Sequence, residues 1–482
     1  MITYNLSGRG KGRLCPVTID VLPDNILLDT FEFYLGEDNP DRINGMPLHD
    51  HDGWHVLVHV CGRWRSIVFA SPRRLDLKLY CTRQRSVNSE ILDIWPALPI
   101  VIHATKLKSE EDVTNIIDAL RHHNRVCKIY YSNRHHQDSP LLKELAAIDA
   151  PFPALTSLQL SNFRPNVLVL PDSFLGGSAP RLLSLNLDGI PYPSIEKLLS
   201  STTNLTRLVL WNIPHSGYIS PKTIVSCLSM LPRLESLHIG FQHPRSQAHR
   251  ANRHPPPLAR VVRPNLTSFF FHGDIEYLED ILSQIETPTL NLCSFRFFNQ
   301  LVFDTPLFGH FIRRTEAFKI HVARIDFSAR AVLVSLLDRE AIANGDLEAL
   351  QLIFFCEPLD WQLSAISQVF DSFLSSFPTL ESLEIEVFPD EWQDEIEVIQ
   401  WRELLRSFTS VKDMTLQSNS IHLLAPALQE LSVEREIEEL PALQNIFLRT
   451  KRWQPSGPVK EAIEQFVATR QLNGHPVTVH YY

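Results

Sequence analysis

The chain has 482 residues, 44% of them hydrophobic, and a formal net charge of −10. That length and apolar content suffice for a large core, and no apolar run approaches the roughly 18 residues needed to cross a bilayer. The segment from Met1 to Arg13 is polar and glycine-rich and lacks the apolar stretch of a signal peptide, so a cytoplasmic or nuclear protein is expected. The seven cysteines are scattered with no Cys-x-x-Cys pair, which argues against a disulfide framework and a zinc ribbon.

In chain order, residues 1–17 read as a flexible basic tail, because Ser7 to Arg13 carries glycines and cations without the spacing of a nucleotide loop. Residues 18–80 read as a helical domain. Its first helix covers Asp20 to Leu35, with Asp20 or Asp24 as cap, Pro23 near the start, and Ile26, Leu27, Phe31 and Leu35 as an apolar stripe. A gap containing His49-Asp50-His51-Asp52 follows; it has metal-ligand residue types but no regular element to hold them, and reads as an insertion. The second helix is predicted over Trp54 to Phe69, lined by Leu57, Val60, Cys61, Trp64 and Val68, and Ser71-Pro72 ends it. Leu75 to Leu79 reads as the first strand. Residues 81–150 form a connecting region with a helix over Glu110 to His122 and an early strand over Asn124 to Tyr131.

From residue 151 to 482 one phrase recurs: a turn residue, then Leu-x-x-Leu-x-Leu or its aromatic and aliphatic equivalents. Its last two apolar positions are Leu158/Leu160, Leu185/Leu187, Leu208/Leu210, Leu237/Ile239, Phe269/Phe271, Phe295/Phe297, Leu350/Leu352, Leu383/Ile385, Met414/Leu416, Leu431/Val433 and Ile446/Leu448. Residues two apart on a strand share a face, and one repeat cannot bury that face alone, so the repeats must stack into a parallel sheet. Asn186 and His238, between the paired positions, are expected to face outward. The intervals Leu155 to Leu182, Leu182 to Leu205, Leu205 to Leu234 and Leu234 to Leu266 are 27, 23, 29 and 32 residues, enough for a helical return. Helices are predicted at Pro193 to Leu199, Pro221 to Leu231, Tyr277 to Ile285, Ser364 to Phe377 and Ile399 to Phe408. The steps Val411 to Leu428 and Leu428 to Leu443 are 17 and 15 residues, so these repeats are expected to return by loops. A helix from Pro458 and an edge strand over Pro476 to Tyr481 close the array. The fold class is α/β, an irregular leucine-rich-repeat solenoid behind an N-terminal helical module.

Charge is divided unevenly. Residues 1–264 hold 29 Lys+Arg against 23 Asp+Glu, whereas residues 265–482 hold 16 against 32. Residues 351–400 carry 11 acids and no Lys or Arg, among them Glu384, Glu386, Asp390 and Glu391, which are candidates for meeting a basic protein substrate. The arginine- and proline-rich stretch from Phe241 to Pro264 lacks interleaved aromatics and reads as an exposed loop, so nucleic acid is a distant candidate. There is no Gly-x-Ser-x-Gly, His-Glu-x-x-His or Gly-x-Gly-x-x-Gly, so no catalytic residue, cofactor or metal is assigned.

Leu22-Pro23, Ile26-Leu27 and Phe31, followed by Val60-Cys61-x-x-Trp64-Arg65, resemble the F-box. With Trp95-Pro96-x-Leu98-Pro99 and the repeats, the chain resembles the F-box-like leucine-rich proteins abundant in basidiomycete fungi. Asn25 stands where that family usually has Glu, and Thr30 where it usually has Ile or Leu. The resemblance implies a non-catalytic subunit of a Skp-cullin-F-box ubiquitin ligase. Leu22, Pro23, Ile26, Leu27, Phe31, Val60, Cys61 and Trp64 would dock a Skp-type adaptor, and through it a cullin, while the solenoid binds a protein substrate. The alternative is a binding scaffold in which the helices only cap the solenoid.

Overall fold

The computed structural model describes residues 19–37, 53–82, 97–105, 110–133, 140–163, 168–244, 260–300, 302–303, 305–315, 318–339, 350–356, 359–373, 377, 379–388, 398–431, 440–449 and 456–482. The basic tail, His49 to Asp52, Trp95-Pro96, residues 245–259 of the arginine-rich stretch, Asp390 and Glu391 lie outside the described residues.

Strands β1 (Leu79–Cys81), β2 (Ile100–Thr105), β3 (Val126–Asn133), β4 (Ser157–Asn162), β5 (Ser184–Asp188), β6 (Arg207–Ile213), β7 (Ser236–Phe241), β8 (Val261–Val262), β9 (Ser268–Gly273), β10 (Ile285–Glu286) and β11 (Leu292–Phe297) come first. They are followed by β12 (Val322–Ser328), β13 (Ala331–Leu337), β14 (Leu350–Phe355), β15 (Ser382–Val387), β16 (Asp413–Gln417), β17 (Asn445–Arg449) and β18 (Thr478–Tyr481). Among the described residues sixteen of these form one sheet, in the order β1-β2-β3-β4-β5-β6-β7-β9-β11-β14-β13-β12-β15-β16-β17-β18, and β8 pairs with β10 apart from it.

The recurring phrase sets the register. Leu158, Leu185, Leu208, Leu237 and Phe269 align across five neighbouring strands, and Leu160, Leu187, Leu210, Ile239 and Phe271 align two residues on. All of these side chains are buried, so each row is a continuous apolar ridge that no single repeat could cover. Neighbouring repeats are also tied by threonines that follow the first leucine of the phrase. The hydroxyls of Thr156, Thr206 and Thr267 donate to the carbonyls of Cys127, Leu183 and Glu235 at 3.0, 3.1 and 3.1 Å. Helices cover the leucine side, and the alternate residues form an open face.

The helices in chain order are α1 (Asp24–Glu37), α2 (Gly53–Val60), α3 (Gly62–Ala70), α4 (Glu110–Leu120), α5 (Pro140–Ala147), α6 (Ile195–Leu199) and α7 (Pro221–Ser229). After them come α8 (Ile275–Leu282), α9 (Pro306–Arg314), α10 (Leu359–Phe373), α11 (Val398–Arg406), α12 (Ser418–Leu431) and α13 (Pro458–Leu472). Glu279 on α8 is buried, and its carboxylate accepts hydrogen bonds from the backbone N–H groups of Leu307 and Phe308 at 3.1 and 2.6 Å. It satisfies two donors at the exposed-dipole end of α9, which explains how a carboxylate survives burial there. At the far end, Arg470 on α13 reaches the carbonyls of Leu440, Pro441 and Leu443 at 3.2 to 3.4 Å and fixes the turn into β17, where Leu440 has φ +53°.

Four expectations are corrected. The helix predicted over Trp54 to Phe69 is two helices, because Cys61 is extended (φ −159°, ψ 169°) and Gly62, a poor helix former, starts α3. The strand predicted over Leu75 to Leu79 is instead a turn up to Asp76, with Leu77 N–H donating to Pro72 O at 2.9 Å, and the strand begins only at Leu79. The repeat expected at Leu428/Leu431/Val433 does not open on its leucines: Leu428 and Leu431 belong to α12, where Ile421, Leu424, Ala425 and Leu428 form the buried face at helical spacing, and Val433 lies outside the described residues. The return from β16 to β17 is therefore helical, as those from β5 to β6 and from β6 to β7 are. Finally, the sheet is not parallel throughout. β12 and β13 form an antiparallel hairpin, and β14 inserts between β13 and β11. Buried Gln362 on α10 holds this insertion, its Nε2 donating to Ser328 O and Cys356 O at 2.8 Å each.

Leu185→Ala should cost about 2–5 kcal/mol in a urea titration, whereas Asn186→Ala, on the open face, should stay within about 0.5 kcal/mol; the reverse order would place the register one residue off. Glu279→Ala should cost about 1–3 kcal/mol by leaving one buried and one partly buried N–H group without their acceptor, and an unchanged urea midpoint would show that the α8 carboxylate is dispensable.

Candidate protein-interaction surfaces

The N-terminal module divides its apolar residues between an interior and an exposed edge. Leu27 and Phe31 on α1 are buried, the Phe31 ring lies 4.7 Å from that of Trp64 on α3, and Trp54 on α2 packs edge-on to Phe69 at 6.0 Å. Trp54 Nε1 also donates to Lys78 O at 3.0 Å, joining the module to the residue before β1. The interior of the module is continuous with the core of the solenoid. Leu27 and Phe31 are therefore interior residues in this structure, not exposed contacts, and Trp64 is only partly accessible.

The other motif residues face outward. Leu22 is 37% exposed, Ile26 42% and Val60 53%, with Pro23 exposed and Cys61 half-buried. Arg63 gathers them: its guanidinium donates to Leu22 O at 2.6 Å and binds Asp24 Oδ1 at 2.5 Å, bringing the junction of α2 and α3 against the start of α1. Sequence reading missed Phe33, which is 70% exposed. It lies seven residues after Ile26, on the same helix face, and that spacing could have revealed a second apolar stripe beside the buried one.

The open face of the sheet carries a second surface. His238 stacks on Phe270 with ring centroids 4.2 Å apart, and His272 lies 4.6 Å from Phe298, 5.7 Å from Phe355 and 6.0 Å from Trp211. Gly240 makes this possible, because a Cβ there would stand 2.7 Å from the Trp211 ring. His238 was expected to be an ordinary outward residue; it does face the open side, but its neighbours cover much of it. Burial, helped by Arg207, pushes the His238 imidazole down to about 4, and burial with Arg296 does the same for His272. Both rings are thus uncharged near neutral pH. A row of aromatic side chains on the outward positions of separate repeats is visible in the sequence only once the register is known.

The acidic candidates divide. Glu384 and Glu386 are on the open face of β15, as the inward positions of Leu383 and Ile385 require. Glu384 is not free, however: Arg324 on β12 donates to Glu384 Oε2 through Nε and Nη2 at 3.0 and 2.9 Å, and Arg449 lies 3.9 Å from its other oxygen. That pairing offsets the negative field expected of it. Among the described residues no group of three or more His, Cys, Asp or Glu side chains could hold a metal ion, and no helix is long and apolar enough to cross a membrane.

No protein-family model matches the chain, and no curated protein matches it. Among solved structures, it is similar to a leucine-rich-repeat-containing protein from Legionella pneumophila, at 16% identity and a TM-score of 0.28, covering 70% of this chain and 97% of that one. It is also similar to a leucine-rich-repeat protein of Leptospira interrogans, at 15% identity and a TM-score of 0.28, covering 86% of this chain and 97% of that one. At these scores nothing about this chain follows from either, and its fold stands on its own strand register.

The two histidines make stability depend on pH. In the unfolded chain they take up protons near their ordinary 6.5, but in the folded chain only near 4. The unfolded state thus binds more protons between these values, and stability falls as pH drops through that window. The urea midpoint should decline from pH 7 to pH 5, and a His238→Gln/His272→Gln double variant should decline less. An identical decline in both proteins would assign the effect to other groups.

Proposed function

We propose that this chain is a substrate-recognition subunit of a Skp-cullin-F-box ubiquitin ligase, with the helical module docking a Skp-type adaptor and the open face of the solenoid holding a protein substrate. The observation that carries this reading is the exposed apolar edge of the module, Leu22, Pro23, Ile26, Phe33 and Val60, standing beside a well-filled interior. Such an edge has a cost in water that a partner surface removes. In this reading Leu27, Phe31 and Trp64 shape the module, and the edge residues make the contact. No residue of the chain performs chemistry; the substrate is held near a ubiquitin-loaded enzyme of other subunits, which raises its effective concentration.

A binding scaffold without a ligase is the second reading. It is favoured by the bond from Trp54 to Lys78 O and by the continuous core, which suit helices that merely cap the first strand. Calorimetric titration of the full chain with purified Skp-type adaptor separates the two. Binding is expected, and Leu22→Asp or Ile26→Asp should weaken it about 30- to 1,000-fold, the range for truncating an interface anchor. An unaltered unfolding midpoint in these variants would exclude misfolding as the cause. Absence of any heat with the wild-type chain would replace the ligase reading by the scaffold.

A further inference from the structure

The ring platform is framed by two cations. Arg207 on β6 and Arg296 on β11 are both exposed and on the open face, since their neighbours Leu208, Phe295 and Phe297 are buried. Arg207 is in register with Ser236 on β7 and thereby with Ser268 on β9, while Arg296 is in register with His272 on β9. They therefore occupy diagonally opposite corners of the platform formed by Trp211, His238, Phe270 and His272. Three strand spacings and four residues along the strands separate them, a diagonal of about 19 Å, or five to six residues of extended peptide.

Charge pairing elsewhere on this face makes the contrast. On this face Arg324 is bound to Glu384, and beside the strand ends Arg339 and Lys412 both meet Glu381 at 3.1 and 2.6 Å. Among the described residues neither Arg207 nor Arg296 has a carboxylate partner, and the nearest open-face acid in register with the platform, Asp188 beside Trp211, accepts a hydrogen bond from Asn212 at 2.7 Å. Low-dielectric ring surfaces between two unpaired guanidiniums favour an anionic partner that also brings apolar side chains.

We propose that this platform docks an acidic peptide segment of a protein substrate, with aromatic or large aliphatic side chains at its centre and a carboxylate toward each arginine. The segment crosses the face through side-chain contacts, because the backbone groups of these strands are already paired within the sheet. The inference rests on the substrate-recognition role assigned to the open face and narrows the substrate to this class, in place of the basic one expected from composition. A single-stranded nucleic acid is disfavoured by having only two corner cations to meet its phosphates.

The test is selection of displayed random 12-residue peptides on the full chain. Enrichment of peptides with Asp or Glu about five to six residues apart around a Phe, Tyr, Trp or Leu is expected. Fluorescence polarisation of a selected peptide should show a loss of about tenfold or more for Arg207→Glu, Arg296→Glu and Trp211→Ala, and no change for Gln159→Ala on the same face. Unfolding midpoints of the variants, measured alongside, identify any loss caused by misfolding, and in that event Arg207→Gln and Arg296→Gln must show the loss instead. Enrichment of basic or neutral peptides, no enrichment, binding indifferent to the arginines, or tighter binding of a 12-nucleotide deoxythymidine strand to the same platform would each overturn the proposal. Failure of the Skp-type adaptor to bind, with acidic peptides still selected, would remove the ligase reading and leave this one standing.

Discussion

Everything in this molecule depends on one repeated contact, the side-by-side alignment of inward apolar residues on adjacent strands. A strand such as β5 brings Leu185 and Leu187 to the sheet, and these are buried because Leu158 and Leu160 stand on one side and Leu208 and Leu210 on the other. The hydrophobic gain is thus shared between neighbours, and so are the threonine bonds from Thr156, Thr206 and Thr267. The open face follows from the same rule. Once alternate residues are committed to the core, the residues between them have nowhere to go but outward, and a row of rings or charges can accumulate there without disturbing the stack.

The repeat could be read from sequence because its signal is periodic and its energetic cause is local. Phe269/Phe271 and Met414/Leu416 keep the spacing even where leucine is replaced in whole or in part, and each is part of a strand. The same rule misled at Leu428 and Leu431. A three-residue step fits a helix face as well as it fits the turn before a strand, and only the packing of Ile421, Leu424 and Ala425 decides between them. The hairpin of β12 and β13 was hidden for a different reason. It lacks the leucine phrase, and its position between β14 and β15 is fixed by long-range pairing and by Gln362, neither of which leaves a local trace.

The candidate surfaces were legible to different degrees. On α1 the motif residues were recognisable, but a motif does not say which of its members face the partner, and burial assigns Leu27 and Phe31 to the interior while leaving Leu22 and Ile26 outside. At β15 the outward direction of Glu384 followed from alternation, yet its partner Arg324 is 60 residues away in sequence and appears only in the fold. The ring platform draws Trp211, His238, Phe270 and His272 from three strands, and composition alone offers no reason to group them.

The inserted hairpin also bears on the order in which the chain is assembled. From β2 to β7, each new strand emerging in sequence finds a completed edge beside its predecessor, and synthesis from the N-terminus could extend the sheet one repeat at a time. At β12 that regularity stops. The position next to β11 belongs to β14, which is made later, so β12 and β13 must wait as a hairpin for a strand still to come. All strands beyond them, β15 to β18, reach the first half of the sheet only through that late closure. A solenoid otherwise built on nearest neighbours thus contains one non-local step, and it falls between the half that carries the rings and the half that carries the paired charges.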